Sequence, residues 1–246
     1  MQTKVKKIII TFIVICAIGI PLGMRIYNKS AVEFKDENME KVMVYASTNE
    51  HGGDGTSRQN LSTIKKLRLG YVGYYDTLED LKWAKNVEEI EINVKPPMYE
   101  KEPAYEISKG KEPKEVSKEK VKQYEEELGK ILPKLKKLKV LVIVSDYGCE
   151  WNTLDFLNDC EQIKEISLIK VKVTDYSVLK QCKSLEKIDF YGAQIERAED
   201  LDLTGLENLK HISISNTALA ENQEEMKKLQ KKYPDVEIYY GNSIFK

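Results

Sequence analysis

The chain is short of the side chains on which most enzymes and metal proteins depend. It holds two histidines, four cysteines, two tryptophans and five phenylalanines in 246 residues. Cys16, Cys149, Cys160 and Cys182 form no C-x-x-C pair, which excludes a zinc knuckle and a dithiol redox motif. His51 lies in "EHGGDG" and could share a metal with Asp54, but two ligands do not make a site, and turn-forming glycines explain the stretch. There is no Gly-x-Ser-x-Gly elbow, no Gly-Lys-Ser/Thr phosphate loop and no Gly-x-Gly-x-x-Gly. Carboxylates are plentiful but scattered among lysines, on faces expected to be solvated. Nothing here supports catalysis, a cofactor or a metal, so no enzymatic activity is expected. Asp189, His211 and Glu237 are the one set whose convergence would reopen that question.

An excess of one charge sign is also missing. The 39 basic and 40 acidic residues nearly cancel. Residues 1–30 nevertheless carry five basic side chains (Lys4, Lys6, Lys7, Arg25, Lys29) and no acidic one, leaving 34 basic against 40 acidic in the remainder. A mildly acidic body behind a basic start carries no nucleic-acid footprint.

One long uncharged run exists, the 17 residues from Ile8 to Met24 in "MQTKVKKIIITFIVICAIGIPLGMRIYNKS". As a helix it would measure roughly 25 Å, near the minimum for crossing a bilayer. A cleaved signal would have a shorter apolar region and a small-x-small exit, for which Ala17-Ile18-Gly19 is the best candidate. Lipidation at Cys16 is disfavoured by bulky Ile15 before it. The expectation is one transmembrane helix through residues 8–24, with the lysines on the cytoplasmic side and the C-terminal domain extracytoplasmic. Secretion after cleavage is the alternative.

What the sequence does contain is a repeat. An apolar-x-x-apolar-x-x-apolar-x-apolar spacing fits Leu61/Ile64/Leu67/Leu69, Ala84/Val87/Ile90/Ile92 and Leu135/Leu138/Leu141/Ile143. It returns at Cys160/Ile163/Ile166/Leu168, Cys182/Leu185/Ile188/Phe190 and Leu206/Leu209/Ile212/Ile214, with a truncated last copy using Val236 and Ile238. Successive copies start 23, 51, 25, 22 and 24 residues apart. The outlier spans two periods and holds an insertion at 95–116, rich in Pro, Lys and Glu, which reads as a loop. Each copy predicts a helical or 3-10 return followed by a short strand with alternate side chains inward. One unit cannot bury its own apolar side; stacked units share a continuous core beside a parallel sheet. Cys160 and Cys182 hold equivalent positions, as buried thiols of a core column or as a disulfide.

Segments such as "VTDYSVLKQCKSLEKIDF" and "YYDTLEDLKWAKNVEEIEI" resemble the turn, return and strand of the leucine-rich-repeat family, in its short-period bacterial surface form. The resemblance covers residues 61–240 and departs in its many Ile, Val, Phe and Cys at leucine positions. The fold class expected is α/β: a curved parallel-sheet solenoid with short helical returns, behind an N-terminal helical cap and one transmembrane helix. The organisation is an anchor or signal at 1–30, linker and cap at 31–60, repeats at 61–240 and a tail at 241–246. Asp36 is the expected N-cap of the cap helix, and helix re-enters near Thr56 or Ser57. Glu221 to Lys232 reads as the last helix.

Residues between and beside each inward pair should face the open side of the sheet. In order these are Lys66/Arg68/Gly70, Glu89/Glu91/Asn93, Val140/Val142/Val144, Glu165/Ser167/Ile169, Lys187/Asp189/Tyr191, His211/Ser213/Ser215 and Asp235/Glu237/Tyr239. Neighbouring strands lie about 4.8 Å apart, so Val142, Val144, Ile169 and Tyr191 should adjoin. With Asp189, His211 and Tyr239 they make the candidate partner-binding set. Coverage of the valines by the 95–116 insertion, or a shifted register in "LKVLVIV", would explain them otherwise. The resemblance implies a protein partner bound on the concave face. A structural or immunity-type subunit of a membrane complex is the second reading.

Overall fold

The computed structural model describes residues 30–51, 55–93, 103–109, 115–145, 149–241 and 243–245. The 8–24 run, with Cys16, lies outside them, as does Asp54. Among the described residues no helix is long and apolar enough to cross a membrane.

Among the described residues eight strands form one sheet in sequence order: β1 (Lys66–Arg68), β2 (Glu89–Ile92), β3 (Val140–Val144), β4 (Glu165–Ile169), β5 (Lys187–Asp189), β6 (His211–Ser213), β7 (Glu237–Tyr240) and β8 (Ser243–Phe245). Strands β1 to β7 pair in parallel, and β8 pairs antiparallel with β7. The architecture is a leucine-rich-repeat solenoid.

The three-three-two spacing has a direct structural cause. The N–H of the second apolar residue donates to the carbonyl of the first, three residues back, in Val87→Ala84, Leu138→Leu135, Ile163→Cys160, Leu185→Cys182 and Leu209→Leu206. Each such turn delivers the chain into a strand whose two apolar residues point into the core. Those pairs, from Leu67/Leu69 to Ile212/Ile214, are each at most 1% exposed. Most returns are single 3-10 turns, at Glu79–Trp83, Asp155–Leu157, Ser177–Gln181 and Ala198–Asp200. Cys160 and Cys182 are free, fully buried members of the core, and burial pushes both thiols up to about 12.

A helical cap covers the start. Helix α1 (Glu37–His51) is opened by Asp36, whose Oδ1 accepts from Met39 N at 2.7 Å, and buries Met39, Val42 and Met43. Helix α2 (Arg58–Leu61) begins at Ser57, whose hydroxyl accepts from Asn60 N. The cap is locked to the second repeat by carboxylates. Asp80, fully buried, accepts from Lys35 N at 2.7 Å and Asp36 N at 3.0 Å, while Asp36 Oδ2 accepts from Asp76 N at 2.5 Å.

The 95–116 insertion is not only loop. It contains α3 (Pro103–Ser108), which buries Ala104 and Ile107 and packs against α1. The third repeat returns through α4 (Lys118–Ile131), with Ser117 as N-cap and Val121, Tyr124, Leu128 and Ile131 buried on one face. Beside that stripe, Glu127 accepts from Leu78 N at 2.6 Å and Glu125 from Asn152 N at 2.7 Å. One helix thus ties the second repeat to the fourth. Asp36, Asp80, Glu91, Glu125 and Glu127 are buried, so part of the carboxylate population has left the solvated faces expected for it.

At the C-terminal end the expected last helix is α6 (Gln223–Lys232), capped by the Asn222 side chain and preceded by a short helix, α5 (Ala218–Glu221). The residues expected as a tail include β8.

Candidate functional site

The sheet register sorts the open-face residues into rows. The lowest runs Lys66, Glu89, Val140, Glu165, Lys187, His211, Glu237, and the middle one Arg68, Glu91, Val142, Ser167, Asp189, Ser213, Tyr239. In the upper row Val144 pairs with Ile169. The bond from Lys170 N to Tyr191 O at 2.7 Å continues the β4–β5 register and sets Ile169 beside Tyr191. The sequence-derived triplets match these rows in six strands. The seventh is displaced by one rung: His211 pairs with Glu237 and Ser213 with Tyr239, so Asp235 lies before the face and Gly241 completes it. Ile238 is the inward partner of Ile212, whereas Val236 is only half-buried. "YPDVEIYY" offers apolar residues at 236, 238 and 240, and the last two take the inward side.

Three zones follow along the face. At the N-terminal end the charges satisfy one another. Lys66 Nζ lies 2.6 Å from both Glu89 and Glu91, and Arg68 Nε lies 2.5 Å from Glu91. Burial alone would raise the Glu91 carboxyl, but hydrogen bonds from Arg68 and Lys66 bring it down to about 2.

The middle zone is apolar. Val140, Val142 and Ile169 are half-buried, and Tyr191, at 42%, is the exposed large apolar side chain among the described residues. Val144 does not belong to this surface: it is buried at 6%. Its strand is five residues long, and its carbonyl is taken by Asn93 Nδ2 at 3.0 Å and Trp151 Nε1 at 3.1 Å, which bring two side chains over the strand end. Val142 sits one rung below the Ile169–Tyr191 pair and faces Ser167 directly. The β3 register is the expected one, and the described helix of the insertion lies on the cap.

The C-terminal zone is polar. Glu165, Lys187, Asp189, His211, Ser213 and Tyr239 line a cavity of about 670 Å³ together with Glu186, Lys210 and Gly241. Tyr239 donates to Glu237 Oε2 at 2.6 Å, and the rings of His211 and Tyr239 lie 5.9 Å apart. His211 Nδ1 is 3.1 Å from Glu237 Oε2 but off line for a hydrogen bond. Asp189 Oδ1 is shielded from solvent and has no hydrogen-bond partner among the described residues. Among the described residues no group of three or more His, Cys, Asp or Glu is placed to hold a metal, the Asp189, His211 and Glu237 set included.

The chain turns off the face through left-handed residues: Gly70, Asn93, Lys170, Gly192, Asn216 and Gly241 all have φ between 56° and 66°. Five of these six positions carry Gly or Asn, the residues that adopt this conformation at least cost. Lys170 is the departure, and a Cβ at Gly192 would stand 3.3 Å from its Cγ.

No protein-family model matches the chain, and no curated protein does. Among solved structures it is similar to internalin C2 of Listeria monocytogenes, at 15% identity and a TM-score of 0.44, covering 83% of each chain. An internalin (inlF) of the same organism matches at 13% identity and a TM-score of 0.33, over 85% of this chain and 76% of that one. The functional domain of InlJ, also from Listeria monocytogenes and described as including a cysteine ladder, gives 11% identity and a TM-score of 0.22 over 77% and 58%.

Proposed function

We propose that the protein is a partner-binding repeat protein whose concave face, centred on Val142, Ile169 and Tyr191, docks another protein. The carrying observation is the juxtaposition of that apolar strip with Asp189, which keeps an acceptor oxygen shielded and without a partner among the described residues. Unpaired shielded acceptors cost free energy until a donor arrives, and apolar centres with polar rims are the anatomy of protein interfaces. Asp189, His211 and Tyr239 form the rim on one side, and the Lys66–Glu91 lattice forms it on the other. The apolar run 8–24 supports anchoring at the membrane with the repeats outside.

The test compares wild type with a Val142→Glu, Ile169→Glu double variant in quantitative pull-down from the source cell envelope, with folding checked by circular dichroism. The partner should be lost with the folded double variant. Equal retention refutes the concave-face reading, and stoichiometric co-purification of wild type favours a fixed subunit of a membrane complex.

A further inference from the structure

On the side of the return segments, away from the strand-bearing face, a cleft of about 570 Å³ opens between the 3-10 turn Glu79–Trp83, the end of α4 and the segment to Lys137. Lys82, Lys85, Lys130, Lys134, Lys136 and Lys137 all line it. Elsewhere the surface lysines are commonly paired, as Lys65, Lys66, Lys164, Lys180, Lys210, Lys227 and Lys228 are with carboxylates within 3.1 Å. Around the cleft, Lys85, Lys130, Lys134, Lys136 and Lys137 have no carboxylate within ion-pair distance among the described residues, and Lys82 reaches Asp80 only at 4.0 Å. The two acidic residues of the lining are already engaged. Glu79 pairs with Lys35, and Glu127 accepts from Leu78 N, Thr77 Oγ1 and Gln123 Nε2. Carbonyls at the end of α4, which would repel an anion, are occupied by Gln162, whose Nε2 donates to Leu132 O and Leu135 O.

We infer that this cleft binds a linear polymer of repeated phosphate groups without nucleobases, since its lining offers no aromatic ring on which a base could stack. Concentrating five unpaired ammonium groups on a domain with an acidic balance is unfavourable in isolation and is relieved by a multivalent anion. Ammonium groups bind phosphate as point charges. An acidic peptide would be gripped by guanidinium forks or an open strand edge, and the cleft has neither. A bilayer is flat, whereas the buried side chains of Ile131 and Leu135 form part of a recess beneath the lysine stems. The cleft's size falls within the roughly 300–1,000 Å³ of small-ligand sites, enough for a short segment of such a chain.

The experiment titrates the full-length chain, held in non-ionic detergent, with inorganic polyphosphate of defined length by calorimetry over a series of salt concentrations. Wild type should bind with steep salt dependence. Lys130→Gln, Lys134→Gln, Lys137→Gln together should weaken binding roughly tenfold or more and reduce the log–log salt slope by about 2, near 0.7 per lost contact. All three side chains are exposed, so the variant should keep its thermal unfolding midpoint. A control with Lys227→Gln, Lys228→Gln, Lys231→Gln on α6 should leave the slope unchanged. Absence of polyphosphate binding overturns the inference, as does equal loss in the control. Equally tight binding of poly-glutamate, or binding of phosphatidylglycerol vesicles without polyphosphate, also overturns it and points to acidic protein or lipid instead.

Discussion

Replacing Asp80 by alanine should detach the helical cap from the solenoid. One carboxylate oxygen, on a residue with no exposed surface, accepts from two backbone N–H groups, those of Lys35 and Asp36, at 2.7 and 3.0 Å. A hydrogen bond to a charged group contributes about 1.5–3 kcal/mol, and donors stranded away from water add to the cost of deletion. The two bonds share an oxygen and are not additive, so a total of about 3–5 kcal/mol is expected for Asp80→Ala. Asp80→Asn keeps an acceptor in place and loses only the charge, so its cost should be about 1–2 kcal/mol. In a chain of this size, about 2–4 °C per kcal/mol makes the alanine shift roughly 6–20 °C. Asp36 shares the junction through Met39 N and Asp76 N, so the Asp36→Ala, Asp80→Ala cycle should show strong coupling. Thermal and urea unfolding give the totals, and hydrogen exchange of α1 against β4 and β5 locates the loss. A cost below about 1 kcal/mol for Asp80→Ala, or protection lost equally in every repeat with α1 no worse than the rest, would refute the cap-lock reasoning.

Two further outcomes follow from local geometry. Gly192→Ala should destabilise by about 1–2 kcal/mol in urea unfolding, because φ is +63° there and the new methyl meets Lys170 at 3.3 Å; Gly205→Ala, with open space around it, should show the backbone cost alone. Glu91 should make stability acid-sensitive: its carboxyl is held at about 2 against an ordinary 4.5, so the stabilisation is complete above 4.5 and is lost as pH falls towards 2. Glu91→Gln should therefore cost about 1–3 kcal/mol at neutral pH and little near pH 2, and a cost independent of pH would sink the assignment.

Much of this architecture was legible because the period is a hydrogen-bonding period. Residues three apart close a 3-10 turn, residues two apart share a strand face, and both marks survive the exchange of Leu for Cys or Phe. The seventh strand's rung is ambiguous in the sequence because apolar residues at 236, 238 and 240 satisfy alternation in two ways, and only the ladder from β6 decides between them. Alternation puts Val144 on the open face, yet it says nothing about Asn93 and Trp151 closing over a strand end. The buried carboxylates were the least visible. Glu125 and Glu127 differ from their exposed neighbours only in flanking the apolar stripe of α4, and their use depends on donors in two other repeats. The lysine cleft was hidden for the same reason, since Lys82 and Lys85 are nearly fifty residues from Lys130 and Lys134 in the chain.

The reversal of direction at β8 bears on assembly. A solenoid of stacked identical pairings is in principle endless, since its last strand offers the next copy what each internal strand offers its neighbour. Repetition of one head-to-tail contact without closure produces a filament, and bare strand edges are the usual starting point. Here the outer edge of β7 is occupied by a three-residue strand running the other way. A second molecule arriving end-on would find no parallel template to extend.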